Sequence, residues 1–228
     1  MFKLHIEQQS YGSKVILRNI SQLYETGKIH GFLGENGAGK TTLFQCMANI
    51  LPYRGERMIP ENMRLGFLPA ELFMYQKITG KEFLHFFVTA KELIFDRTEM
   101  LSLNAFFELP LDEYAETYST GMLKKLYLMG LLMQKNEVLI LDEPFNGLDF
   151  KSSAFVTALI TEFKQQGKTV FVASHDMDHL FSYADTLSLL RDKQLSFYSQ
   201  RTDFEKIKSD IQKDAIQKVA VLHEKIRL

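Results

Sequence analysis

The sequence is short of cysteine, of surplus charge and of long apolar runs, and each shortage removes a class of protein. Cys46 stands alone, so no internal disulfide can form, which fits a reducing compartment. Its neighbours on a predicted helix, Phe44 and Met47, point to a buried structural thiol, because reactive thiols need an exposed electropositive setting. Basic and acidic residues number 27 and 28, a formal net charge of −1. A globally basic nucleic-acid binder would carry a surplus of Lys and Arg, so that class is demoted. The longest uninterrupted apolar run, Tyr127 to Met133, falls far short of the roughly 20 residues a membrane helix needs. The opening MFKLHIEQQS alternates like a strand and lacks the apolar core of a signal peptide. The expectation is a soluble chain that reaches any membrane through a partner.

What is present is 228 residues with 46% apolar content, enough for one large domain or a core with a small subdomain. No internal repeat or low-complexity stretch stands out. Phe2 to Tyr24 reads as short strands turned at Tyr11-Gly12-Ser13, and Lys28 to Leu33 as a compact apolar strand. A glycine-rich turn and a helix over Lys40 to Ile50 follow, stopping before Pro52. Two more short strands are expected over 55–68. From about Leu72 to Tyr118, Phe, Leu and Glu recur at helical spacing. Thr79 to Glu82 has capping-box form ahead of Phe83, Leu84, Phe86 and Phe87. Strand and helix then alternate: strand 137–141, helix 152–165, strand 169–173, helix 176–184 and hairpin strands near 186–199. That alternation predicts an α/β core with mainly parallel strands. In the tail, a second capping box spans Thr202 to Glu205. Phe204, Ile207, Ile211, Val219, Leu222 and Ile226 share one helical face, suited to packing on the core or to a partner.

Gly34-Glu35-Asn36-Gly37-Ala38-Gly39-Lys40-Thr41 fits G-x-x-x-x-G-K-[ST] at every fixed position, with a strand before it and a helix after. The glycines let the backbone curl around an anion, and the helix start adds its positive dipole end. Lys40 reaches the β- and γ-phosphates of a nucleotide, and Thr41 offers a hydroxyl to Mg²⁺. Thr42 extends the same expected nucleotide contact. The second half of the site is Val138-Leu139-Ile140-Leu141-Asp142-Glu143, a buried strand delivering two carboxylates at its C-terminal edge, where open α/β sheets bind ligands. Asp142 suits Mg²⁺, and Glu143, one residue on, suits polarising an attacking water.

These features describe a nucleotide hydrolase, and a third motif narrows it. Tyr118-Ser119-Thr120-Gly121-Met122, opening an apolar helix, approximates the signature of the ATP-binding cassette family, which the chain resembles over roughly residues 3–200. Asp142 to Asp149 looks like that family's acidic strand and the D-loop after it, and Ala173-Ser174-His175-Asp176 like its switch-histidine segment. Tyr11 stands where the family has an aromatic that stacks on adenine; simple packing is the other reading of a turn tyrosine. The resemblance implies a phosphate-loop core with an N-terminal antiparallel β subdomain and a small inserted helical subdomain. One such domain over 1–228 would divide into core (1–69 and 119–200), helical subdomain (70–118) and C-terminal tail (202–228). It implies ATP and Mg²⁺ as cofactors and a head-to-tail pair of cassettes, alike or different, with ATP between Lys40 of one and Ser119 and Gly121 of the other. Asp149 would link the two sites, and His175 would donate to the γ-phosphate. An integral-membrane permease would be the partner, placing the chain at the inner face of the cell membrane, with export favoured.

The chain departs from the pattern twice. Ala70, aligned through Gly66 and Pro69, stands where the family has a glutamine that contacts Mg²⁺ and the attacking water, with Glu71 a residue out of phase and Gln76 further off. Slower hydrolysis or looser coupling is expected. Thr120 replaces a second glycine of the signature, and Lys124 and Lys125 follow, as a solvated face or as charge supporting phosphate. Phe73, Tyr75, Phe83, Phe86 and Phe87 suit either a groove for a permease helix or the subdomain's own core. The rival functions are a soluble cassette ATPase, as in iron–sulfur assembly, and a dimer switch that scarcely hydrolyses ATP. Nucleic-acid-linked cassettes usually carry two cassettes or a long coiled coil per chain, and this sequence has neither.

Overall fold

A computed structural model describes residues 1–56, 58–60, 62–200, 202–209, 213 and 216. The chain opens with β1 (Phe2–Tyr11), β2 (Lys14–Tyr24), β3 (Ile29–Leu33), α1 (Lys40–Met47), β4 (Arg54–Glu56) and β5 (Leu65–Leu68). Helices α2 (Gly80–Thr89), α3 (Arg97–Phe107) and α4 (Thr120–Met133) come next. Then β6 (Val138–Asp142), α5 (Phe150–Gln165), β7 (Thr169–Ala173), α6 (Met177–Tyr183), β8 (Thr186–Arg191) and β9 (Gln194–Tyr198) alternate. The larger sheet runs β5-β6-β7-β3-β8-β9, parallel through β8 and closed by antiparallel β9. A smaller antiparallel sheet, β2-β1-β4, stands beside it.

The central strands β3, β6 and β7 are buried at every residue, as parallel strands covered on both faces must be. Side-chain alternation sorts their residues into two cores. Leu139, Leu141, Val170 and Val172 face one cluster with Leu126, Leu131, Val156, Ile160 and Phe163 of α4 and α5. Val138, Ile140, Phe171 and Phe32 face the other, with Leu43 and Phe44 of α1 and Leu4, Ile6, Leu17 and Tyr24 of the hairpin. Each such fully buried side chain contributes about 1.5–3 kcal/mol of transfer free energy.

The predicted elements recur with shifted edges. Helix α1 ends at Met47, short of Ile50, because Asn49 takes φ +57° and closes it. Residues 69–79 are not helical, so the helical run begins at Gly80, where Thr79 and Glu82 form the expected capping box. Phe83 is buried and stacks on Phe87 and Tyr127, whereas Phe73, Tyr75 and Phe86 are more than half exposed. The five aromatics therefore split between core and surface, since Phe83 and Phe87 lie on one helical face and Phe86 on another. Cys46 is buried, and burial pushes its thiol up to about 12, which makes it inert. In helical residues 202–209, Phe204 and Ile207 are buried in the core and Phe204 lies against Phe181. Ile211, Val219, Leu222 and Ile226 lie outside the described residues.

Candidate functional site

The glycine loop leaves the C-terminal end of β3, with Glu35, Asn36 and Gly37 exposed at its tip and Gly34, Ala38 and Gly39 half-buried below. Gly37 has φ +82°, and Gly39, at the N-cap of α1, has φ +105°. A Cβ on Gly39 would also meet Ile16 Cγ2 at 2.9 Å, so β2 itself presses on the loop. The first turn of α1 has no acidic residue and no side-chain cap, which leaves its amides and dipole end unopposed. Lys40 is 7% exposed; its ammonium donates to Gly34 O at 2.7 Å and Glu35 O at 3.4 Å. Thr41 is exposed and Thr42 buried beside it. Tyr11 is half-exposed at the end of β1, paired with Lys14 of β2.

Strand β6 brings the acidic pair to the same edge. Asp142 is fully buried, and neither carboxylate oxygen has a hydrogen-bond partner. Burial raises its carboxyl above the usual range; the Thr41 hydroxyl opposes this without closing a hydrogen bond. Glu143 turns the chain with φ +47°, a left-handed conformation that costs a non-glycine residue about 1–3 kcal/mol. Its amide is held by Ala173 O at 3.0 Å. The turn aims the Glu143 carboxylate between two cations or donors: Lys40 Nζ lies 3.4 Å from Oε1, and His175 Nδ1 donates to Oε2 at 3.0 Å. His175 itself is half-exposed after β7. Lys40, Thr41, Asp142, Glu143 and His175 thus meet at one edge although they span 136 positions of sequence, from residue 40 to 175 counted inclusively. This cluster sets a glycine loop with a buried ammonium beside a carboxylate that Lys40 and His175 hold at its mouth.

Ser119 and Gly121 belong to a second locality. Ser119 is exposed and caps α4, its Oγ accepting from the Met122 amide at 3.2 Å. Gly121 faces Leu148 and Ser152, and a Cβ on Gly147 (φ +74°) would meet Thr120 Cγ2 at 3.1 Å, so the start of α4 packs on the 143–149 turn. Asp149 caps α5; the Ser152 amide bond holds its carboxyl below the usual carboxylate range. Within one chain this locality makes no hydrogen bond or ion pair to Lys40 or the glycine loop among the described residues.

Two features escaped the sequence reading. Lys124 is not on a solvated face: it is 1% exposed and donates to Glu143 O at 2.8 Å and Asn146 O at 2.6 Å. Its position three and four residues before buried Tyr127 and Leu128 was the available signal. Lys125, by contrast, lies over the Phe155 ring. Phe145 packs on His179, whose Nε2 is hydrogen-bonded to Thr157, tying the turn to α5 and α6.

Comparison with known proteins identifies the family. The family model described as ABC transporter matches residues 17–146. The linearmycin resistance ATP-binding protein LnrL of Bacillus subtilis is 27% identical over 212 residues, covering 86% of this chain and 68% of its own. The manganese transport system ATP-binding protein MntB of Listeria innocua is 28% identical, covering 81% and 84%. A solved ATP-binding subunit of an ABC transporter superposes with TM-score 0.80 at 19% identity over 91% of this chain and 93% of the other, a likeness of fold. The family match spans more than half of the chain, and the chain belongs to the ABC transporter family as an ATP-binding, ATP-hydrolysing subunit.

Proposed function

We propose that the chain binds Mg²⁺-ATP at the glycine loop and hydrolyses it at Glu143 to drive transport through a separate integral-membrane permease. The observation that carries this reading is the Glu143 carboxylate, aimed by a left-handed turn between Lys40 and His175 at the mouth of the loop. The amides of Gly34 to Thr42 would cradle the phosphates, with Asn36, Gly37 and Ala38 along the tip. Lys40 would neutralise the β- and γ-oxygens. Glu143 would accept the proton of the attacking water, while His175 donates to the γ-phosphate. Tyr11 would stack on adenine.

Asp142 fits a cation: two buried carboxylate oxygens lack partners, and the Thr41 hydroxyl is next to them. Among the described residues no three His, Cys, Asp or Glu side chains cluster as a metal cage. That suits Mg²⁺, which takes one or two protein ligands plus waters and substrate phosphates. When bound it would neutralise charge developing on the phosphate oxygens.

The exposed start of α4 supports a head-to-tail pair of cassettes in which Ser119 and Gly121 of one chain meet the γ-phosphate on the other, with Asp149 between. The helical subdomain at 70–118 would carry the permease contact, for which Phe73, Tyr75 and Phe86 offer an exposed aromatic surface. The chain would then sit on the inner face of the cell membrane; no described helix is long and apolar enough to cross it. Export is the direction we favour, from the short middle segment; one relative is named for resistance and another for manganese transport. Phosphate release from Mg²⁺-ATP by the purified chain tests the catalytic reading, and Glu143→Gln should abolish it while ATP still binds. Co-purification with a polytopic membrane protein tests the transport reading against a soluble cassette.

A further inference from the structure

Lys124 is one of two lysines buried among the described residues, and whereas Lys40 bonds the glycine loop, Lys124 bonds the turn after β6. It projects from the second turn of α4, the helix that begins at Ser119. Its ammonium donates to Glu143 O at 2.8 Å and Asn146 O at 2.6 Å, the two ends of the turn that aims the Glu143 carboxylate. Outside α4 the turn is anchored by the Glu143 amide on Ala173 O at 3.0 Å and by Phe145 against His179, and its own internal bonds are few. Asn146 N reaches Glu143 O at a long 3.3 Å, and Leu148 N reaches Phe145 O at 3.1 Å. Glu143 and Gly147 both take positive φ, at 47° and 74°. At the tip of α4, Thr120 packs on Gly147 and Gly121 faces Leu148 and Ser152. The helix therefore grips this segment at two places one turn apart.

We propose that Lys124 is a positioning residue for ATP hydrolysis: it clamps the 143–146 turn onto α4, so that the aim of Glu143 depends on where the start of α4 is held. The proposal rests on the reading of Glu143 as the residue that activates water. A buried ammonium is an expensive way to fill a core, and an apolar side chain of similar length would pack as well. What the ammonium adds is two charge-assisted bonds to carbonyls that sheet and helix leave unused. Burial pushes the ammonium down to about 8 against the pull of Glu143 and Asp142, so the cation is kept in place at a cost. Because α4 also presents Ser119 and Gly121, whatever those residues touch is transmitted to Glu143 through a rigid helix and two hydrogen bonds.

The test uses the full chain with Lys124→Met, which keeps length without donors, and Lys124→Arg, which keeps them. Steady-state kcat and KM for Mg²⁺-ATP, binding of a fluorescent ATP analogue and Tm are measured for each. Expected for Lys124→Met is a kcat lowered roughly thirtyfold or more, on the scale of misplacing a reacting group by about an ångström. KM and analogue affinity stay within about threefold of the parent, because the glycine loop is untouched. Lys124→Arg recovers a substantial part of the lost kcat. If Lys124→Met does not fold, Lys124→Gln, with a shorter neutral donor, should show the same split at smaller size. The proposal is overturned if kcat is unchanged while only Tm falls, if kcat and ATP affinity fall together, or if a folded Lys124→Arg is no better than Lys124→Met. Glu143→Gln measured alongside separates the two readings. An active Glu143→Gln overturns both, whereas an inactive one beside a fully active Lys124→Met overturns only the clamp.

Discussion

Two helix starts in this molecule look alike in principle and differ in equipment. The start of α1 is a closed cradle: a glycine cap with φ +105°, a first turn free of acids, and buried Lys40 turned back into the loop. The start of α4 is exposed, uses Ser119 Oγ as acceptor for its own Met122 amide while leaving the hydroxyl proton to donate, and has its nearby cations committed elsewhere. Lys124 is bonded to Glu143 and Asn146, and Lys125 lies over Phe155. On the proposed reading, the first end holds a triphosphate alone. The second brings amides and a hydroxyl but no cation, so it can only add to a phosphate already neutralised by another cradle. That asymmetry is the physical case for two chains sharing one nucleotide.

The contrast is broken most severely at Lys40. Lys40→Met should abolish hydrolysis, at least about a thousandfold, and weaken ATP binding, since one ammonium meets both the β- and γ-oxygens. Nucleotide titration of the single chain checks it. Ser119→Ala should leave that titration unchanged yet lower turnover about ten- to a hundredfold, on the scale of one donor lost from a charge-stabilising site. If Ser119→Ala weakened ATP binding to the isolated chain, the two ends would not be separate in function. Ala70→Gln should raise turnover by about tenfold by adding a donor and acceptor near the acidic pair. Leu68 pairs with Leu141, which places Ala70 just beyond the same sheet edge; an unchanged rate would show the position silent.

The last effect falls on stability rather than on turnover and concerns the central sheet. His30 is buried, its Nε2 donating to Glu25 O at 2.8 Å and its Nδ1 accepting from the Thr186 hydroxyl at 2.8 Å. Burial pushes its imidazole down to about 4, so as pH falls the unfolded chain takes the proton first. Its share of stability is intact above about pH 6.5 and is lost by about 1.4 kcal/mol per pH unit from there toward 4. Denaturant unfolding at pH 7 and pH 5 should show a smaller loss in His30→Gln than in the parent; equal losses would remove His30 as the cause.

The first helix start was legible in the sequence because its chemistry is local. Eight consecutive residues supply the turn, the amides and the lysine, and an apolar strand ahead of them fixes their place. The acidic pair was legible for the same reason, as a buried strand with carboxylates at its end. Lys124 was not, because the side it faces is set by how α4 lies on the 143–149 turn, a contact between segments about 20 residues apart. Thr120 reads in sequence as a lost glycine, yet in the fold it packs on Gly147, and that complementarity exists only once both turns are formed. The aromatics of 73–87 lay between these cases. Helical phase alone separates Phe83 and Phe87 from Phe86, but Phe73 and Tyr75 precede the helix, and no periodicity places them.

The central claim is best tested by sedimentation of the Glu143→Gln protein with and without Mg²⁺-ATP. A cradle and a cation-poor helix start that share one nucleotide predict a monomer that becomes a dimer only when Mg²⁺-ATP is added, and that Ser119→Ala weakens. A protein that binds Mg²⁺-ATP tightly yet stays monomeric across the accessible concentration range would contradict it.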